Sequence, residues 1–138
     1  MDGLSLSAET RLTGGILLLS IVAVESGGLY MYQVLRRRVG LTPFQQAFAR
    51  AGHAHAGVLV ILSLVALLYV DLAPISGVLA AVGRVAVPLA AILMPAGFFF
   101  SSMGEGRTEP NRFVWLLFAG AVSLGLGASA LGVGMLTG

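Results

Sequence analysis

The stretch that decides the fold is TGGILLLSIVAVESGGLYMYQVL, residues 13–35, and Glu25 is its only charged residue. About 20 apolar residues in a helix cross a hydrocarbon core that is about 30 Å thick. The segment therefore has the length and composition of a membrane-spanning helix. A carboxylate near the centre of such a helix costs about 2.5–3.5 kcal/mol on insertion scales, and it is seldom retained without a role. The sequence thus predicts a transmembrane helix that carries one functional candidate.

The composition of the whole chain agrees with this prediction. Of its 138 residues, 57% are hydrophobic and 10% are charged, whereas a soluble domain carries about 25% charged residues. We predict a single integral membrane domain over residues 1–138, without a soluble part that could hold an active site. Cysteine is absent, which excludes disulfides, thiolate metal sites and cysteine nucleophiles. The motifs of ATP-driven and serine-hydrolase enzymes are also missing, so enzymatic activity of the chain on its own is not expected.

Three further stretches are long and apolar enough to span a bilayer. The four predicted helices cover about 13–35, 43–71, 74–103 and 113–136. The predicted fold class is therefore all-α, a polytopic membrane protein built as a four-transmembrane-helix bundle. Arg84 interrupts the third stretch, and two interpretations follow. Either the segment before Arg84 lies at the membrane interface, or one long tilted helix carries Arg84 inside the bundle.

Arginine placement predicts the orientation of these helices. All eight basic residues are arginine, and six of them lie either between the first helix and the apolar part of the second, which begins near residue 51, or between the third and fourth helices. The positive-inside rule places both Arg-rich loops in the cytoplasm and both termini on the non-cytoplasmic side, as in a multi-pass protein of a bacterial inner membrane. Basic residues beside the bilayer indicate anionic lipid headgroups rather than nucleic acid. Residues 36–38 are mainly a topology signal, and binding of a specific anionic lipid is the alternative.

Glu25 is the first candidate site residue. Gly28 and Tyr32 lie on its helix face, three and seven residues later, and the glycine pair at residues 27–28 makes the helix slim enough for a helix or ligand to approach. One interpretation is a proton or ion site, or a polar intramembrane site, formed with Tyr32 and Arg84. The other is a structural hydrogen bond or an ion pair with Arg84. His53 is a further possible partner of Glu25.

His53 and His55 are the second candidates, and they are the only histidines of the chain. Residues two apart on a helix point about 200° apart, so the two rings do not readily share one metal ion. The small residues around them leave room for haem b, with Met94 or Met103 as a second axial ligand, or for a transition metal. A second copy of the chain could also supply a histidine. The alternatives are histidines that bond to backbone or headgroups, or that relay protons.

A resemblance supports the haem interpretation. The segment AGHAHAGVL, residues 51–59, resembles small uncharacterised four-helix membrane proteins of bacteria, specifically of actinobacteria. Its His-Ala-His opening also resembles the second helix of haem–copper oxidase catalytic subunits, where a histidine binds haem. This resemblance implies one haem-ligand position, at His53 or His55. The oxidases use many more helices and histidines than this chain has, so oxygen reduction by this chain alone is excluded.

Two other segments have alternative interpretations. The fourth helix carries two series of small residues, Ala121/Gly125/Ser129 and Ala119/Ser123/Gly127. Such faces allow close helix approach, either within the bundle or between copies of the chain. The mixed-charge loop at residues 101–112 is predicted to be a solvated connection. Alternatively, it docks a partner protein or covers the cytoplasmic mouth of the bundle.

Three functions therefore stay open. The first is a haem- or metal-binding accessory subunit of a respiratory-type membrane complex. The second is a non-catalytic structural subunit, present as a homo-oligomer or within a larger membrane complex. The third is a small proton- or ion-coupled transporter or channel that uses Glu25. The sequence names no substrate, ion or partner.

Overall fold

The structure is a computed structural model that describes residues 5–138, so the first four residues of the predicted domain lie outside it. The described chain is helical. Its elements are α1 (Ala8–Leu35), α2 (Pro43–Leu72), α3 (Gly77–Ser101), a single 3-10 turn (Arg112–Val114) and α4 (Trp115–Thr137). The prediction of four helices long and apolar enough to cross a membrane is confirmed.

Capping residues explain where the first two helices begin. Thr42 caps α2 through a reciprocal pair of bonds with Gln45, and Pro43 occupies the first helical position, where its missing N–H costs nothing. The α1 helix begins earlier than its apolar run suggests, because the Ser7 hydroxyl accepts the Thr10 backbone N–H. The polar first turn of α1 is therefore helical although it lacks the apolar residues of a span.

The third helix is shorter than its predicted range of 74–103. Pro74 and the next two residues connect α2 to α3, and Met103 follows the end of α3. Arg84 lies within α3, which continues through it without a break, and its side chain is 21% exposed. Pro88 and Pro95 are both buried within α3, where neighbouring helices cover the backbone that the prolines leave without partners.

The closest helix contact is between α3 and α4. A Cβ added to Gly127 would lie 2.6 Å from Val87 Cγ2 and 3.0 Å from the Val87 backbone nitrogen. The Ser123 hydroxyl donates to the Ala86 carbonyl at 2.8 Å. Small residues on one face of α4 therefore let the two backbones approach, as small-xxx-small faces do in membrane helices.

The two small-residue series of α4 have different surroundings. Ser123 and Gly127 are buried against α3, whereas Ala121, Gly125 and Ser129 are exposed. A Cβ on Gly125 would meet no atom within 4 Å. The packing interpretation thus holds for the buried series. The exposed series lies on the open side of α4.

The first helix lies at the edge of the molecule and packs mainly along α2. Leu17 of α1 meets Val60 and Leu67 of α2 in a small apolar cluster. Elsewhere α1 exposes large apolar side chains, including Leu19 and Leu29, which are 74% and 70% exposed. Apolar surface on this scale indicates contact with lipid or with another protein.

Candidate functional site

Arg84 takes part in a polar cluster at one end of the molecule. Its guanidinium forms an ion pair with the Asp71 carboxylate at 2.8 Å and donates to the hydroxyls of Ser7 and Thr10. Asp71 also accepts the backbone N–H and the hydroxyl of Ser7, at 2.8 and 3.1 Å. The Asp71 side chain is 4% exposed. The cluster therefore ties the start of α1 to the end of α2 and to α3.

This cluster separates Arg84 from Glu25. Arg84 bonds to Thr10, and Glu25 follows Thr10 by 15 residues in the same helix, which is about 22 Å at 1.5 Å per residue. Arg84 therefore does not share the polar site with Glu25 and Tyr32 that one interpretation predicted. It also does not form the ion pair with Glu25 that the other interpretation predicted. Asp71 is the partner of Arg84. Sequence analysis missed it because it closes α2, 13 residues before Arg84, where no local pattern marks a pair.

Glu25 is exposed on the side of α1. The described residues contain one ion pair, between Arg84 and Asp71, and none of their hydrogen bonds reaches the Glu25 carboxylate. Tyr32, two turns further along the same helix, is 53% exposed, and the Arg36 guanidinium lies 5.7 Å from the centre of its ring. Glu25 therefore presents its carboxylate outward, on a helix whose surroundings are apolar.

His53 lies against the slim part of α1. A Cβ added to Gly27 would be 3.2 Å from His53 Nδ1, and one added to Gly28 would be 3.8 Å from its Cε1 and Nε2. The glycine pair thus makes room for the imidazole of the neighbouring helix. His53 is half-buried, and among the described residues its ring has no hydrogen-bond partner. Its nitrogens are available for a ligand or for a proton.

His55 occupies a different environment. Its Nδ1 lies 2.8 Å from the Ala51 carbonyl, so Nδ1 donates in the tautomer that satisfies this bond. Its ring centre lies 4.8 Å from that of Phe98 on α3. The two histidines therefore point toward different helices, His53 toward α1 and His55 toward α3, as their spacing of two residues predicts.

The two methionines predicted as possible haem ligands lie in surroundings different from those of the histidines. Met94 is buried against Gly120 of α4, whereas His53 lies against α1. Met103 lies in the loop after α3 and is 62% exposed. Within residues 5–138 no group of three or more His, Cys, Asp and Glu residues could hold a metal ion. One chain therefore does not assemble the two axial ligands of a haem, and the residues present do not fit that group unless a second chain contributes.

The loop between α3 and α4 packs against the start of α2. The Gln45 amide donates to the carbonyls of Ser102 and Gly104, at 3.0 and 2.7 Å, and the Thr42 hydroxyl donates to the Arg107 carbonyl. Gln45 is buried. This part of the loop is thus a fixed cover over the ends of α2 and α3 rather than only a solvated connection.

A cavity of about 510 Å³ lies under this cover. It opens between α1, the start of α2 and the loop, and Gly27, Tyr30, Gln45, Phe99 and Met103 are among its lining residues. His53 contacts Gly27 but does not itself line the cavity. The amide of Gln45 is already used by the loop carbonyls, so the cavity offers mainly apolar and aromatic contacts.

No protein-family model, curated protein or solved structure matches the chain. The interpretation of the site therefore rests on its own geometry: an outward carboxylate on α1, an unbonded imidazole between α1 and α2, and a polar cluster that holds one end of α1.

Proposed function

We propose that the protein is an accessory subunit of a larger membrane assembly, multi-pass in a bacterial inner membrane, and that a helix of another chain covers the Glu25 face of α1. The observation that carries this proposal is the Glu25 carboxylate, which is exposed on an otherwise apolar helix and has no partner among the described residues.

A carboxylate left in contact with lipid is energetically costly. Insertion scales put a central acidic residue at about 2.5–3.5 kcal/mol, and such residues face a partner or a water-filled cavity. The chain itself supplies neither at Glu25, while it does supply Arg84 for Asp71 at the other end of α1. A hydrogen-bond donor from a neighbouring chain, or a second copy of this chain, would remove most of the penalty.

The proposal includes an orientation of the four helices in the membrane. The loops that contain residues 36–38 and residues 107–112 lie at one end of the molecule, and the Asp71–Arg84 cluster lies at the other. The positive-inside rule favours the arginine-rich end in the cytoplasm, with both termini on the opposite side.

Association of the purified assembly tests the proposal. The chain is gently solubilised from its native membrane, and its size and stoichiometry are measured by light scattering. We expect a complex of fixed stoichiometry for the wild type and a loss of about ten-fold or more in association for Glu25→Leu, since a penalty of 1.4 kcal/mol already corresponds to ten-fold. Val58→Ala, which removes an exposed apolar side chain from α2 outside the Glu25 face, is the control. A monomeric wild type would refute the proposal.

A second candidate role follows from the free nitrogens of His53. In the assembly His53 would ligate a haem or a transition metal, and the second axial ligand would come from another chain, because Met94 does not face it. Such a group would supply electron transfer. An absorption spectrum of the oxidised and reduced assembly, with elemental analysis, should show a signal that His53→Ala abolishes and His55→Ala retains. A colourless, metal-free assembly would exclude this role.

Proton or ion movement through the assembly is the third candidate, and Glu25 carries it as well. Flux into proteoliposomes should be abolished by Glu25→Gln, which keeps the size of the side chain and removes its charge. An unchanged flux in that variant would remove Glu25 from any transport mechanism.

A further inference from the structure

A basic crevice lies between the end of α1 and the start of α2. Its volume is about 200 Å³, and its lining residues are Met31, Val34, Leu35, Arg37, Gln46 and Arg50. No acidic residue lines it. The described chain contains one ion pair, which uses Arg84, so neither Arg37 nor Arg50 is neutralised by a carboxylate there.

Arg37 ends α1 with a left-handed backbone conformation. The backbone N–H of Arg37 bonds to the Val34 carbonyl and that of Arg38 to the Gln33 carbonyl, which is the hydrogen-bond pattern of a helix that ends in a left-handed residue. Arg37 is that residue, with φ of 52°. Glycine is the usual choice at such a position, and a residue with a Cβ is strained there. An arginine there costs some stability that glycine would not, which a use of its guanidinium would offset.

The remaining walls define what kind of anion fits. Met31, Val34 and Leu35 give the crevice an apolar side, and the Gln46 amide is held by the Leu41 carbonyl at 3.0 Å. The volume equals that of roughly six or seven liquid water molecules. It accommodates a phosphate group and the first atoms of a glycerol, while the acyl chains of a lipid would lie outside against α1 and α2.

We propose that this crevice binds the phosphate of an anionic glycerophospholipid, with Arg37 and Arg50 as the two phosphate ligands. Arginine forms paired hydrogen bonds with phosphate oxygens, and basic pockets between membrane helices bind anionic headgroups. The apolar wall distinguishes a lipid from a free phosphate ion, because only the lipid has acyl chains to place there. The inference does not depend on the partner proposed for Glu25.

Native mass spectrometry of the full chain in detergent tests the proposal, with dioleoylphosphatidylglycerol as the probe. We expect one retained phosphatidylglycerol, and about five-fold weaker retention for Arg37→Gly and for Arg50→Gln, since one basic residue near an anionic lipid is worth about 1 kcal/mol. Arg38→Gln and Arg112→Gln carry the same charge change outside the crevice and should retain the lipid.

Arg37→Gly gives an independent check that the variant is folded. Glycine relieves the left-handed backbone, so its thermal midpoint should rise while lipid retention falls. Equal weakening in Arg38→Gln, equal retention of dioleoylphosphatidylcholine, or displacement of the lipid by millimolar inorganic phosphate would each overturn the proposal. The first two outcomes would mean unspecific attraction, and the third would mean a site for free phosphate.

Discussion

The contact between α3 and α4 and the contact between α1 and α2 are built differently. Between α3 and α4, glycines of one helix lie against the backbone of the other, as at Gly127 and Val87. Between α1 and α2, side chain meets side chain: Leu17 packs on Leu67, and a Cβ on Gly14 would lie 3.8 Å from Leu64. The first contact brings the two backbones together at these glycines, and the larger crevices, of about 430 and 510 Å³, lie beside the second.

Most of the candidate functional side chains lie beside the looser contact, between α1 and α2. Glu25, His53, Arg37 and Arg50 all belong to α1, α2 or the turn between them. The α3–α4 pair contains no charged side chain apart from Arg84, which is used by the polar cluster. We therefore expect α2, α3 and α4 to form the stable part of the molecule, and α1 to be the helix that would meet the proposed partner.

The largest expected effect is loss of the polar cluster that holds α1. Asp71→Asn should lower the free energy of unfolding by about 3–5 kcal/mol, because it leaves the Arg84 guanidinium without its counter-ion in a mostly buried site. Unfolding in a denaturing detergent measures this change. Asp71→Leu combined with Arg84→Met should recover part of the loss, since no unpaired charge remains. A double variant as unstable as the single one would contradict this account.

A smaller effect is expected at the α3–α4 contact. Gly127→Ala should lower the free energy of unfolding by about 1–3 kcal/mol, because its new methyl group overlaps Val87 and pushes the helices apart. Gly125→Ala is the matched control, two residues away on the open side of α4, where no atom lies within 4 Å. The same unfolding measurement should show no loss there. Equal losses in both variants would contradict the packing explanation, because alanine favours the helix more than glycine does and adds no overlap at Gly125.

The smallest effect on the fold is expected at Glu25. Glu25→Gln should change the free energy of unfolding of the isolated chain by less than about 0.5 kcal/mol, as exposed substitutions usually do, although the same variant should weaken the assembly. Unfolding and association are measured on one preparation. A large loss of stability in the isolated chain would show that Glu25 has a structural partner within it.

Local signals made part of the structure predictable. Thr42 and Pro43 mark the start of α2, and apolar runs mark four helices, because these features act within a few residues. The polar cluster was not predictable in this way, since it joins Arg84 to Asp71 across the connection between α2 and α3, and Asp71 to Ser7 over 64 residues of chain. The spacing of His53 and His55 predicted diverging rings, but which helix each ring faces depends on how α1, α2 and α3 pack.

The lack of cysteine allows a direct test of the claim that the Glu25 face of α1 meets another chain. A thiol-linked benzophenone is placed at Leu29→Cys, one turn from Glu25, and for comparison at Val58→Cys on the exposed side of α2. Gly57, next to Val58, lies level with Val24 of α1, and Leu29 is five residues further along α1, so the two probes lie about 9 Å apart along the helix axes, both within apolar helices. After irradiation in native membranes, we predict one discrete protein adduct from Leu29→Cys that weakens with Glu25→Gln, and none from Val58→Cys. Lipid adducts alone at both positions would contradict the account.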